Sequence, residues 1–263
     1  MASMIEDLVQ QAPGDWSWAG ERLDESRRVA YQEHVERPSA SLIKVPILAT
    51  LYAAVEDGRL SLDETMVLTQ EDQVTGSGVL MDLTPGRPWL LRDLATLMIT
   101  VSDNTATNLL LDRLGVDAVN QLIDTLGLTH TRVLRRLQRI PIGAEGTNHT
   151  TAADMTRLMA LLARGQVVSW AACQRMADVL RRCQAESSIV MQRSPGQGLV
   201  GEPSASVVHH KTGLLSQFRG DAGFVTWAGG GYALTLMAMG ASESELAPWM
   251  ARIGRALVDD LTS

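Results

Sequence analysis

Hydrophobic positions recur along the chain with two different periods. In several segments apolar residues return every three or four positions, which is typical of helices that bury one face. Near both ends of the chain they form short runs bounded by glycine and polar turns, which favours strands. The predicted helices cover residues 41–57, 91–100, 105–114, 116–126, 150–163, 170–183 and 243–261. The predicted strands cover residues 16–23, 28–32, 207–213, 219–227 and 232–240, and residues 128–149 form a long loop without a clean period.

This order of elements predicts an α+β fold. Two isolated strands are barely stable alone, so the first hairpin must join the three later strands in one mainly antiparallel sheet. The closing helix then covers a face of that sheet. We expect a single catalytic domain with an α/β lobe from residues 1–35 and 200–263 and an inserted all-helical lobe from residues 36–199. The cleft between the lobes is the expected place for a site.

Composition narrows the classes of function. The chain has 263 residues, 45% of them hydrophobic, and a net charge of -7, so it can bury a full core and has no basic excess for nucleic acid. Residues 1–11 carry Glu6 and Asp7 and lack the apolar stretch of a secretion signal. No apolar run reaches the ~18 residues of a membrane span. As written, the protein is expected to be soluble and cytoplasmic, or secreted if a leader has been removed.

Cysteine and histidine give no pattern of metal ligands. Cys173 and Cys183 lie ten residues apart in a predicted helix without a third or fourth ligand, so we interpret both as small packing residues. His209 and His210 are neighbours on a predicted strand and point to opposite faces, so one of them can line the cleft. We expect no metal, no cofactor and no disulfide.

Three short motifs stand in order along the chain. They are Ser41-Leu42-Ile43-Lys44, Ser102-Asp103-Asn104 and Lys211-Thr212-Gly213. The first opens a predicted helix, where Pro46 is tolerated only near the start, so Ser41 and Lys44 lie about one turn apart on one face. The second falls between two helices and the third on a strand. Each motif is weak alone, but together they predict one catalytic cleft.

The distribution of lysine sharpens this prediction. Of the 23 basic residues only two are lysine, and these are Lys44 and Lys211. Arginine cannot lose its proton in a protein, whereas a buried lysine can act as a base. Desolvation and the repulsion of Lys211 are both expected to lower the pKa of Lys44, which would let it take the proton of the Ser41 hydroxyl.

The remaining motif residues have expected roles beside this pair. Ser102 would relay a proton toward the leaving nitrogen, polarised by Lys211. Asn104 would hold Lys44 and the substrate amide. Helix capping is the alternative for both Asp103 and Asn104, and the sequence leaves it open.

These motifs, in this order and spacing, resemble the signature of class A β-lactamases and penicillin-binding proteins. The stretch ITVSDNTATNLLLDRLG at residues 99–115 is especially similar to class A enzymes. The resemblance implies an oxyanion hole from the backbone N–H groups of Ser41 and Leu214. It also implies that Thr212 recognises a substrate carboxylate, and we group Gly213 with it among the substrate-binding residues. Arg219 is a further candidate contact for that carboxylate, with a salt bridge to Asp221 or Glu202 as the alternative.

One departure from the resemblance concerns release of the acyl group. Class A enzymes carry a Glu-x-x-x-Asn pattern in an extended loop, and residues 135–151 of this chain lack it. Glu145 is the carboxylate available there, and we interpret it as a solvated loop residue rather than a displaced base. The sequence therefore supports acylation but not deacylation.

The leading hypothesis is a serine hydrolase that opens β-lactam rings through a Ser41 acyl-enzyme, with slow deacylation. The alternatives are a cytoplasmic esterase or peptidase on the same scaffold, and a sensor or trap that is acylated and stalls. The expected partner is a small amide or ester that bears a carboxylate, not nucleic acid or a membrane.

Overall fold

The computed structural model of the protein describes residues 2–138, 146–185 and 206–263. Its longer helices after the first follow the predicted order, and their bounds lie close to the predicted ones. They are α1 (Ala2–Gln11), α2 (Lys44–Glu56), α3 (Leu91–Thr100), α4 (Asn104–Leu114), α5 (Val116–Thr125), α6 (Ala152–Ala163), α7 (Trp170–Leu180) and α8 (Glu243–Thr262).

Five of the described strands form one antiparallel sheet, as predicted. The strands of the chain are β1 (Asp15–Arg22), β2 (Arg28–Tyr31), β3 (Arg37–Pro38), β4 (Thr65–Val67), β5 (Pro88–Leu90), β6 (His149–Thr150), β7 (Val207–Leu215), β8 (Phe218–Trp227) and β9 (Gly230–Met239). The large sheet has the order β2-β1-β9-β8-β7. Asp15 pairs with Met239 and Arg22 with Tyr232, so the first hairpin joins the later strands through β1 and β9. The α+β prediction is therefore confirmed.

Both faces of this sheet are covered, which explains why its central strand β9 is almost continuously apolar. Successive side chains of a strand point to opposite faces. Leu234 and Leu236 pack in a core shared with α1 and α8, whereas Ala233 and Met237 pack in the larger core built mainly by helices α2–α7. Because the sheet and the helical part share this larger core, their relative placement is fixed by packing. The predicted lobe boundary near residue 200 lies outside the described residues, so the division into two lobes stays a prediction.

Helix α2 is surrounded on all sides rather than on one face. Ten of its residues are buried, and it contacts α3, α4, α5 and α7. A helix that is apolar all round belongs in a core. Pro46 lies in its first turn, where the missing N–H would have no intrahelical partner, as predicted. The central position of α2 gives the residues at its N-terminus a rigid support.

Short elements that the periodicity did not predict tie the long loop to the start of α2. Strand β3 pairs with β6, so Arg37 lies opposite Thr150 and Pro38 opposite His149. The Ser39 N–H then donates to the Asn148 carbonyl at 2.9 Å. Helix α1 is a further element outside the predicted set. Within the described residues, no helix is long and apolar enough to cross a membrane.

Candidate active site

Ser41 lies in a 3₁₀ turn, Ala40–Ile43, that leads directly into α2. Ala40 adopts a left-handed backbone with φ 45°, which is uncommon for a residue with a side chain and marks a strained turn. Strand β7 passes close to this turn: a Cβ on Gly213 would lie 3.1 Å from both Ala40 Cβ and the Ser39 carbonyl oxygen. Glycine at 213 therefore lets β7 approach Ala40, the residue that precedes Ser41.

Lys44 is fully buried and its amine has three described acceptors. Its Nζ donates to the Ser102 carbonyl at 2.6 Å, to Ser102 Oγ at 3.1 Å and to Asn104 Oδ1 at 2.8 Å. The amine therefore points to the second motif, and none of its described acceptors belongs to Ser41. The predicted role of Asn104 in holding Lys44 agrees with this geometry.

Burial lowers the pKa of both buried lysines, and Lys44 is further affected by its neighbour Lys211. Burial is the larger cause, and the charge of Lys211 adds to it, so the pKa of Lys44 falls well below its usual value of 10.5, with Asp103 opposing. Burial also lowers the pKa of Lys211, opposed by Cys183 and Asp221. The three acceptors suit the charged ammonium, whereas the neutral amine that the lowered pKa favours can donate only two of these hydrogen bonds and keeps a lone pair. The predicted role of Lys44 as a base is compatible with this environment and stays a prediction.

Ser102 has a strained backbone of its own. Its φ of 55° places it in the left-handed region, with Lys44 bonded to both its carbonyl and its hydroxyl. Ser41 and Ser102 are both partly exposed, while the lysines are buried. The two serines therefore lie at the surface of the cleft, and the two lysine amines lie in the protein interior behind them.

Asp103 holds this motif in place as a structural residue. It is the N-cap of α4, where its Oδ1 accepts from the Ala106 N–H at 2.8 Å. Its Oδ2 accepts from the N–H groups of Val79 and Leu80 at 2.7 and 2.9 Å. Gly78 permits the approach, since a Cβ there would lie 2.3 Å from Asp103 Cγ. Of the two interpretations left open by the sequence, the structure shows capping for Asp103.

Residues of the third motif lie along β7 beside the Ser41 turn. Lys211 is fully buried and its Nζ donates to the Thr212 carbonyl at 2.9 Å. Thr212 and Leu214 line a cavity of about 280 Å³ together with Ser41 and Ser102. Leu214 also lines a neighbouring cavity of about 370 Å³ with Ser41 and Asn104. The structure therefore brings all three motifs to one cleft.

The larger cavity extends over the start of the long loop. It is lined there by Arg135, Arg136, Leu137 and Gln138. Among the described residues that line the two cavities, none is an aspartate or a glutamate. Glu145, the loop carboxylate for which a displaced base is the alternative to a solvated residue, lies outside the described residues.

Asn148, which is not among the predicted site residues, anchors the end of the loop 128–149. Its Oδ1 accepts from the N–H groups of Leu134 and Arg135, and its Nδ2 donates to the Arg135 carbonyl. Asn148 is 5% exposed and itself lines the larger cavity. A buried amide with three backbone bonds fixes the loop across the cleft from β7.

Arg219 forms an ion pair with a residue that the sequence did not suggest. Its guanidinium bonds to Glu243 at the start of α8, whereas the weighed alternatives were Asp221 and Glu202. Glu202 lies outside the described residues. The pair leaves Arg219 mostly buried beside the end of β7, across from Leu214. Its predicted contact with a substrate carboxylate stays a prediction.

The two histidines have separate environments, as the strand alternation predicts. The His209 ring stacks on Phe224 at 4.4 Å and its Nδ1 lies 2.8 Å from the Ala177 carbonyl. His210 Nδ1 lies 3.3 Å from Asp221 Oδ1. Neither is among the described residues that line the cavities around Ser41. The expectation that one histidine can line the cleft is therefore not met there.

Comparison with known proteins agrees with the motifs. A family model described as the beta-lactamase enzyme family matches residues 1–261. The chain belongs to that family. A β-lactamase from Rhodobacter capsulatus is 29% identical over 170 residues, covering 60% of this chain and 58% of that protein, so the chain spans little more than half of that relative.

Solved structures match this β-lactamase-family chain over nearly its whole length. The β-lactamase from Sphaerobacter thermophilus has a TM-score of 0.89 at 27% identity, covering 99% of this chain and 96% of that one. A PBP-A variant in an acyl-enzyme complex with penicillin G has a TM-score of 0.86 at 27% identity, covering 99% and 95%. The predicted resemblance to this superfamily is confirmed.

Replacement of Asp103 by asparagine should destabilise the fold, because the backbone N–H groups of Val79, Leu80 and Ala106 lose a charged acceptor. Hydrogen bonds to charged groups contribute roughly 1.5–3 kcal/mol, so the free energy of unfolding should fall by about that amount. Denaturant unfolding measures it. The control is Asp117→Asn, an exposed acid in the first turn of α5, which should cost under ~0.5 kcal/mol. Equal losses in the two variants would contradict the structural role.

The pH dependence of acylation should report Lys44. Because the pKa of Lys44 is well below 10.5 and the neutral amine is the predicted base, the rate of acylation should rise as pH increases and level off well below pH 10.5. Stopped-flow acylation at a series of pH values measures this. A rate that still increases through pH 10–11, as for an ordinary lysine, would contradict the assignment.

Proposed function

We propose that this protein opens β-lactam rings, which are strained cyclic amides, through a covalent acyl-enzyme on Ser41, and that it releases the acyl group slowly. The observation that carries the proposal is the contrast between two sets of groups at one cleft. A buried lysine with a depressed pKa serves the step that forms the ester. No carboxylate stands among the described cavity-lining residues to serve the step that breaks it.

Acylation follows from the groups around Ser41. The Ser41 hydroxyl attacks the amide carbon and its proton passes to neutral Lys44. Ser102 accepts a hydrogen bond from Lys44 at 3.1 Å, so its hydroxyl can relay the proton to the leaving nitrogen. Lys211 lies close enough to lower the pKa of Lys44, and its charge favours the departing amine.

The substrate needs two further contacts. The N–H groups of Ser41 and Leu214 would stabilise the oxyanion, and both residues line the two cavities. Thr212, with Gly213 beside it, would bind the substrate carboxylate. Arg219 would add a second contact through the part of its guanidinium that the ion pair with Glu243 does not occupy. The proposed partner is thus a small amide or ester that carries a carboxylate, not nucleic acid or a membrane.

A stalled trap or sensor is the second candidate, and the lack of a cavity-lining carboxylate among the described residues is what favours it. It shares the acylation chemistry and differs only in the fate of the ester. Assays with a chromogenic cephalosporin beside a short-chain ester separate the three outcomes: steady cephalosporin turnover, a single stoichiometric burst, or preference for the ester.

Ser41→Ala should abolish covalent labelling by a penicillin and leave the fold intact, because only a small, partly exposed hydroxyl is removed. Intact-protein mass spectrometry checks it. Ser77→Ala, which removes another hydroxyl of the same cavities, should keep the adduct. An adduct on the Ser41→Ala protein would eliminate Ser41 as the nucleophile.

Lys44→Arg should slow acylation nearly as much as Lys44→Ala, since a guanidinium cannot accept the serine proton. Lys211→Arg should lose less, because Lys211 acts through its charge. The acylation rate constants of the three variants decide this. If Lys44→Arg keeps more than about a tenth of the acylation rate, the activation free energy has risen by less than ~1.4 kcal/mol. Lys44 would then act through its positive charge and not as the base.

Penicillin hydrolysis should show a burst of one equivalent and then a slow steady state. A general base contributes ~10²–10⁴-fold, and deacylation is the step that lacks one. The acyl-enzyme should persist as a mass increase on the whole protein. Glu145→Gln should change the steady state little. Fast turnover without a burst, together with arrest of Glu145→Gln at the acyl stage, would instead make Glu145 the deacylating base.

A further inference from the structure

Gln138 lines the larger cavity and has an unusual backbone conformation. Its φ is 59°, in the left-handed region that glycine enters freely and glutamine rarely adopts. The described structure has four non-glycine residues with positive φ, and three of them, Ala40, Ser102 and Gln138, line the catalytic cavities. Strained backbone of this kind is concentrated at functional sites. A glutamine at a position that suits glycine indicates that its side chain has a function.

Helix α4 fixes the backbone just before Gln138. Asn108 is 1% exposed, its Oδ1 accepts from the Leu137 N–H at 2.8 Å, and its Nδ2 donates to the Leu137 carbonyl at 3.1 Å. Asn104 lies four residues before Asn108 and therefore on the same face of α4. One helix face thus positions the loop through Asn108 and places Asn104 at the cavity that Gln138 also lines.

The side-chain amides of Asn104 and Gln138 converge beside Gly76. A Cβ on Gly76 would lie 2.7 Å from both Asn104 Nδ2 and Gln138 Nε2, so the lack of a side chain there leaves room for both amides. Asn104 Nδ2 donates one N–H to the Thr75 carbonyl at 3.1 Å and keeps its second N–H. The Gln138 amide makes no hydrogen bond to any described residue. Two N–H donors this close can bind one carbonyl oxygen of a ligand.

The two cavities separate the two halves of a substrate bound at Ser41. Ser41 and Leu214, whose N–H groups would stabilise the oxyanion, line both cavities. Ser102, the proposed relay to the leaving nitrogen, lines the smaller cavity and not the larger, so the leaving half belongs in the smaller one. The acyl half, which stays on Ser41 as the ester, then extends into the larger cavity toward Asn104 and Gln138. This division rests on the proposed function.

We propose that Gln138 is a specificity-determining residue that, together with Asn104, binds the carbonyl of an acylamino group on the acyl half of the substrate. The favoured substrates are therefore β-lactams that carry an acylamino group next to the attacked carbonyl, as penicillins and cephalosporins do. This contact stabilises the transition state of acylation relative to free protein and substrate, so its loss lowers the second-order rate constant of acylation.

Three penicillins that share one ring system test this proposal, with acylation measured by quenched-flow intact-protein mass spectrometry. Benzylpenicillin and 6-acetamidopenicillanic acid have the acylamino carbonyl, whereas 6-aminopenicillanic acid lacks it. Gln138→Gly removes the side chain at a φ that glycine adopts freely, so the fold should be kept. The variant should be acylated about 3- to 10-fold more slowly by the first two compounds, as expected for one lost hydrogen bond. Its acylation by the third should be unchanged.

Gln184→Ala is the matched control, because Gln184 is an exposed glutamine that lines the smaller cavity and not the larger. It should keep the wild-type ratios between the three rate constants. Equal losses with all three compounds in Gln138→Gly, no loss with any of them, or the same selective loss in Gln184→Ala would each overturn the role of Gln138 and leave the proposed acyl-enzyme intact. Failure of all three compounds to label Ser41 in the wild-type protein would overturn the proposed function, and this proposal with it.

Discussion

Burial of the Lys44 amine is the constraint on which the site depends. A charged ammonium in a core is costly unless it is paired, so the surroundings must either neutralise it or supply acceptors. Here they supply three, two from Ser102 and one from Asn104. The same contacts that make the burial tolerable place the amine 3.1 Å from the hydroxyl of Ser102, the proposed proton relay. The hydrogen bonds that replace the lost solvation of Lys44 are thus the same ones that position its amine for the proposed reaction.

The acceptors must themselves be held, and this explains the density of structure around the second motif. Ser102 is held in its left-handed backbone conformation because the next residue, Asp103, caps α4 and also binds the N–H groups of Val79 and Leu80. On the opposite side of the cleft, glycine at 213 lets β7 reach the turn that carries Ser41. Strained residues persist only where surrounding contacts fix them, and here they flank the reacting groups.

Local patterns sufficed for much of this architecture. The periods of 2 and 3.6 residues placed the sheet and most helices within a few residues, and the scarcity of lysine singled out Lys44 and Lys211 before any contact was known. Contacts between distant segments had no local signal. Glu243 lies on α8, so its ion pair to Arg219 does not follow from spacing. The 3₁₀ start of α2 was likewise hidden, because a helical period does not distinguish the two kinds of turn.

The pairing of β1 with β9 has a consequence for how the molecule forms. Residues 15–22 find their partners only at residues 232–239, with the whole helical part between them. Bringing such distant segments together lowers the entropy of the chain before any stabilising contact forms between them. Folding therefore becomes slower as the sequence separation of paired residues grows. During synthesis the hairpin of β1 and β2 leaves the ribosome long before β9 exists, and a lone hairpin is marginally stable. The residues of β9 and α8 that bury Trp16 and Trp18 in the folded protein are therefore made last, so both indoles lack this core for most of the synthesis.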